Sequence, residues 1–73
     1  MNTIKVRRDF DGRRFEASAR YAEEADGWYC SIGSRENGKL TLHERRGPVS
    51  DAWAEIQDMM ELAVSGSYAV HVG

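Results

Sequence analysis

The reactive side chains of this 73-residue chain are few, two His and one Cys among them, and their spacing does not assemble a reaction centre. His43 and His71 each stand at a polar position of a strand-like pattern. Neither has a second His, Cys or Asp at ligand spacing, so neither reads as a metal ligand or a positioned base. Cys30 alternates with Trp28 and Ile32, which makes it a small buried hydrophobe; no His is placed to generate a thiolate. Glu23 and Glu24 are adjacent carboxylates, but they flank a turn instead of converging in a cleft. No GxSxG, phosphate-binding glycine loop or HExxH is present. The expectation is a non-enzymatic protein with no cofactor and no metal.

Charge is more informative. All ten Lys and Arg residues lie before Gly47, and residues 47–73 carry four carboxylates and no cation. Asp51, Glu55, Asp58 and Glu61 recur at helical spacing, where like charges repel by roughly 0.2 to 0.5 kcal/mol per close pair. A cost with no local benefit points to use, and an all-acidic helix face suits a basic protein surface. The acidic turn Glu23, Glu24 and Asp26 extends the expected partner-binding set. Arg7, Arg8, Arg13 and Arg14 crowd one segment and Arg45 and Arg46 precede the helix, a pattern that can contact phosphates. Asp9, Asp11 and Glu16 interrupt that cluster and the net charge is −2, so direct nucleic-acid binding is not expected.

The elements that position these residues follow from turns. Asp11-Gly12 between alternating segments predicts a two-residue hairpin, pairing Val6 with Ala17, Ile4 with Ala19, Asp9 with Arg14 and Arg7 with Glu16. Asp26-Gly27, taken as a second two-residue loop, sets Tyr21 opposite Ile32 and Ala25 beside Trp28. Glu36-Asn37-Gly38, taken as a three-residue loop, sets Leu42 opposite Ile32 and keeps the leucines inside. Gly47 and Pro48 are expected to end this four-stranded antiparallel meander near residue 45. Ser50 then caps a helix whose stripe Ala52, Trp53, Ile56, Met60 and Ala63 packs on one sheet face. Ser65-Gly66 ends it before a short closing strand, Tyr68 to Val72, that completes the sheet. The predicted fold class is α+β, with Lys5, Arg7, Arg20, Tyr29, Thr41 and His43 on the open face. Of these, Arg7, Tyr29 and His43 form the rival partner-binding surface.

Residues 1–73 make a single domain near the lower size limit for unaided folding, so homodimerisation is one route to added stability. The first ten residues lack the apolar run of a signal peptide, and no stretch is long enough to span a membrane. A cytoplasmic protein is expected.

From Phe15 onward the chain runs strand, acidic turn ending in Asp-Gly and aromatics (Glu23-Glu24-Ala25-Asp26-Gly27-Trp28-Tyr29), two strands, helix, strand. This order resembles the HicB-like antitoxin domain, whose helix often starts like Ser50-Asp51-Ala52-Trp53-Ala54-Glu55. The resemblance implies a partial ribonuclease-H-like fold without catalytic residues and a role in covering a toxin ribonuclease. The extra amino-terminal strand, the missing Pro-containing loop and the absence of a DNA-binding segment depart from that family. Size, acidity and lack of catalytic motifs are also similar in kind to small phage anti-CRISPR inhibitors. The functional expectation is therefore an inhibitor of the anti-CRISPR type acting in a bacterial host cell. Its partner would be the basic surface of a bacterial nuclease or CRISPR effector. A HicB-like antitoxin, or a nucleic-acid module using the Arg-rich hairpin, is the alternative.

Overall fold

A computed structural model describes residues 2–68. Four antiparallel strands, β1 (Thr3–Phe10), β2 (Arg13–Ala22), β3 (Gly27–Glu36) and β4 (Lys39–Val49), lie in the order β1-β2-β3-β4, and helix α1 (Ala52–Val64) follows. The arrangement is α+β, as the turn chemistry and the helical stripe predict. The first hairpin has the expected register at all four pairs, Ile4 with Ala19, Val6 with Ala17, Arg7 with Glu16 and Asp9 with Arg14. Asp11 and Gly12 take φ values of 53° and 78°, the left-handed pair that a tight hairpin turn requires.

The second turn differs from expectation. Glu23–Ala25 form a 3-10 turn, closed by the Asp26 amide donating to the Glu23 carbonyl at 3.1 Å. Asp26 sits at φ 48° and accepts the Tyr21 hydroxyl at 2.6 Å. The loop is therefore longer than Asp26-Gly27, and Gly27 already belongs to β3. Tyr21 faces Trp28 instead of Ile32, and Ile32 faces Ala17. Inward parity survives, so Cys30 and Ile32 are still buried.

The third turn is a two-residue one after all. Asn37 and Gly38 have φ values of 53° and 78°, and Glu36 pairs with Lys39. Leu40 and Leu42 consequently pair with Arg35 and Gly33 and stand half exposed on the side away from the helix. A bulge repairs the parity. The register shifts between Ile32 and Gly33, so Glu44, and not Leu42, faces Ile32. Nor do Gly47 and Pro48 end the strand. They sit inside β4, where a second shift lets Val49 pair with Trp28. Gly47 has φ 145°, and a Cβ there would lie 2.8 Å from the Trp28 carbonyl oxygen.

Asp51, rather than Ser50, caps α1 by accepting the Ala54 amide at 3.1 Å. Ala52, Ile56, Met59, Met60 and Ala63 are its buried residues. Trp53 does not join that stripe; it is 60% exposed, while Met59, on the other flank of the stripe, is 0% exposed. Ala17 and Ala19 on β2 are small enough for the helix to settle over Phe15, Cys30 and Ile32. Complete burial of Ile32 and Met59 stabilises the fold by about 1.5 to 3 kcal/mol apiece. Tyr68, where the closing strand was expected to start, lies in the turn after α1. The remainder of that strand, with His71, falls outside the described residues.

Candidate functional site

Strand alternation and register place four residues in one transverse row on the face that α1 leaves open. Lys5 pairs with Ser18, Ser18 with Ser31, and Ser31 with Arg45. At about 4.8 Å between strands, this cation-Ser-Ser-cation row spans about 14 Å of sheet. The two serine hydroxyls lie 3.1 Å apart. A concavity of about 460 Å³ surrounds the row, walled by Lys5, Arg20, Tyr29 and Arg45. A second, of about 520 Å³, adjoins it through Lys5, Ser18 and Ser31 and runs past Arg7 and Gly33 to Leu40 and Leu42. Gly33 lets β4 approach, since a Cβ there would sit 2.7 Å from the Thr41 carbonyl oxygen.

Electrostatics single out the same groove. Arg14 is tied to Asp9 at 3.1 Å and Arg35 to Glu16 at 3.0 Å. The Arg35 contact holds the Glu16 carboxyl below its ordinary value. Among the described residues, Lys5, Arg7, Arg20 and Arg45 form no ion pair. By parity the open face holds six cations (Lys5, Arg7, Arg14, Arg20, Arg35, Arg45) against two carboxylates (Asp9, Glu16), a net +4. The other four cations and ten carboxylates leave the rest of the molecule at −6. The net charge of −2 thus hides a strongly divided surface. Tyr29, 42% exposed, presents an aromatic surface among the unpaired cations.

The helix carboxylates are less available than their spacing implies. Asp51 is a cap. Arg46 Nη1 donates to Glu55 at 2.8 Å and to Asp58 at 2.7 Å, while its Nε donates to Glu44 at 2.8 Å. The acidic helix therefore has a basic partner from β4. Glu61 is exposed and makes no ion pair among the described residues, and Glu23 and Glu24 likewise lie exposed on the 3-10 turn. Asp26 is occupied by Tyr21.

On the rival surface, Arg7 and Tyr29 do face outward with Lys5 and Arg20, but Thr41 and His43 do not. Thr41 pairs with Ser34 of the helix-side face. Alternation from Thr41 puts His43 on the same side, where its Nε2 lies 2.7 Å from Ser34 Oγ and its ring stacks on Tyr68 at 5.6 Å. Burial, and secondarily the nearby Arg13, push the His43 pKa down. Cys30 is buried, and desolvation with the Glu55 charge pushes its thiol up, which disfavours a nucleophilic thiolate. The strand pattern of the sequence places Lys5, Arg7, Arg20 and Tyr29 together on this face, with Arg7 and Tyr29 as the expected contacts, but leaves out Arg45. Arg45 joins them through its pairing with Ser31 beyond the β4 register shift, which no residue type announces. Among the described residues no three His, Cys, Asp or Glu side chains converge as metal ligands, and no helix is long and apolar enough to cross a membrane. No protein-family model, curated protein or solved structure matches the chain.

Proposed function

We propose that this protein is a non-enzymatic binding module that holds a single-stranded nucleic acid across the open face of its sheet. The observation that carries the reading is the Lys5-Ser18-Ser31-Arg45 row, with Arg7 and Arg20, which form no ion pair among the described residues, beside it. Unpaired cations at both ends of a polar row suit a chain of phosphates, and Tyr29 supplies a stacking surface for a base. The row crosses four strands and about 14 Å of sheet, wider than the major groove of about 12 Å that admits a helix or a two-stranded ribbon, which favours a single strand over a double one. The test is fluorescence anisotropy of a labelled single-stranded oligonucleotide titrated at several salt concentrations. Four neutralised phosphates give a slope of log K against log salt of about −3. No binding at low salt, or tighter binding to the matching duplex, overturns the reading.

A second reading is supported by the −6 charge of the remaining surface. In it the chain is an inhibitor, of the anti-CRISPR or toxin-covering kind, whose carboxylates dock on the basic groove of a nucleic-acid-handling bacterial effector. The exposed and unpaired Glu23, Glu24 and Glu61 are then the contacts. Capture of such an effector from bacterial lysate, lost when these three are changed to Lys, supports it. Capture unaffected by those changes removes it.

A further inference from the structure

We infer that two copies of this chain pair antiparallel along β1, centred on Arg7, into one continuous eight-stranded sheet. Among the described residues the sheet has two outer edges, β1 and β4. β4 is interrupted by two register shifts and contains Pro48, the devices by which an edge is kept from pairing. β1 has neither, and its eight residues pair with β2 without a break.

Its free hydrogen-bonding groups can be assigned. The Tyr21 amide donates to the Asn2 carbonyl at 3.0 Å, and a two-residue turn requires Phe10 and Arg13 to be a hydrogen-bonded pair. Even-numbered residues of β1 therefore bond to β2, and the amides and carbonyls of Thr3, Lys5, Arg7 and Asp9 point away from it. A twofold axis at Arg7 pairs these outward groups with their equivalents. It also keeps both helices on one side of the joined sheet.

Side chains agree with that register. Lys5 falls opposite the partner's Asp9, and Asp9 opposite the partner's Lys5, giving two attractive cross-strand pairs. Ile4 falls opposite the partner's Phe10, and Phe10 is 43% exposed in the single copy. On the helix side, Val6 and Arg8 line a groove of about 320 Å³ with Trp53, Gln57 and Glu61. The pairing brings the partner's Arg8 beside Val6, towards the exposed indole of Trp53, a cation-π arrangement. The one like-charge contact, Arg7 against the partner's Arg7, lies at the axis on the open face. There the guanidinium groups can diverge into water, and the two basic grooves become continuous.

Pairing along β1 is independent of nucleic-acid binding. Sedimentation equilibrium over a range of concentrations should show a species of twice the 8.3 kDa chain mass. Arg7→Pro removes an outward amide without touching the bonds to β2, so it should give a monomer with unchanged circular dichroism. Asp9→Lys and Lys5→Asp singly should raise the dimer dissociation constant on the order of tenfold, and together restore it. If Arg7→Pro disturbs folding, the double exchange reads the same pairing through charge alone. Monomer mass at every concentration, or failure of the charge exchange to restore the dimer, overturns it.

Discussion

Arg46 Nη1 donates to Glu55 Oε2 at 2.8 Å, so the last cation of the chain is bound to the helix that follows it. The same guanidinium grips Glu44 and Asp58, and Tyr68 donates its hydroxyl to Glu44. One side chain thus ties β4, α1 and the turn after α1 together. Because Arg46, Glu44 and Glu55 are each at most about a third exposed, removing the cation leaves two partly desolvated carboxylates adjacent. Arg46→Met, which keeps much of the stem, should lower stability in urea by about 1 to 3 kcal/mol. Asp58 is 55% exposed and its share is weakened by solvent.

Trp53 and Met59 give opposite expectations from their sequence roles. Met59→Ala, at a site with 0% exposure, should cost about 2 to 5 kcal/mol in denaturant unfolding. Trp53→Ala should change monomer stability by about 0.5 kcal/mol or less, since the indole is mostly in solvent. Apolar periodicity alone does not separate the two, because they sit on opposite flanks of the same stripe and only the sheet beneath decides which is covered.

That dependence on tertiary placement marks the limit of what the sequence discloses. The Asp11-Gly12 hairpin is legible residue by residue because turn chemistry sets its register locally. Asp26-Gly27 carries the same signal, yet the 3-10 turn and the Tyr21 to Asp26 bond absorb it. With Tyr21 set opposite Ile32, Ser18 would face Arg35, and the Lys5-Ser18-Ser31-Arg45 row disappears. The β4 bulge is equally silent, because no residue type demands it. It follows from keeping Glu44, Arg46 and Val49 on the helix side while Leu40 and Leu42 remain outside.

His43 and, in a lower window shared with Glu16, Glu44 should make the fold sensitive to acid. His43 is held below its ordinary 6.5, chiefly by burial, so the unfolded chain binds its proton first. Stability is full above pH 6.5 and declines as pH falls from there through the folded value. Glu44 is held below its ordinary 4.5 by the Arg46 and Tyr68 hydrogen bonds. Its contribution is present above pH 4.5 and is lost as pH falls through its folded value. Urea midpoints measured across pH should show both declines. His43→Gln should flatten the upper one, and Glu44→Gln should reduce the lower, the remainder belonging to Glu16.

Cys30 should behave as an inert thiol. It is buried and its pKa is pushed up by desolvation, so a thiol reagent at neutral pH should label the native protein slowly and the urea-unfolded protein rapidly. Equal labelling rates in the two states would contradict the packing of β3 against α1.

The divided charge supplies the decisive comparison between the two functional readings. Lys5→Glu with Arg45→Glu reverses both ends of the transverse row, while Glu23→Lys, Glu24→Lys and Glu61→Lys reverse carboxylates that make no ion pair among the described residues. Neither set disturbs the core, so both variants should unfold near the wild-type midpoint. Asp51 and Glu55 are unsuitable for this purpose: Asp51→Ala removes a helix cap worth about 1 kcal/mol, and Glu55 is held by Arg46. If the open face binds a single strand, the first variant loses oligonucleotide affinity and the second does not, because the acidic residues lie away from the groove and repel phosphate. If the acidic surface docks on an effector protein, the losses are exchanged. The ionic-strength dependence distinguishes them further, since the groove's affinity falls with a slope set by the number of phosphates it neutralises.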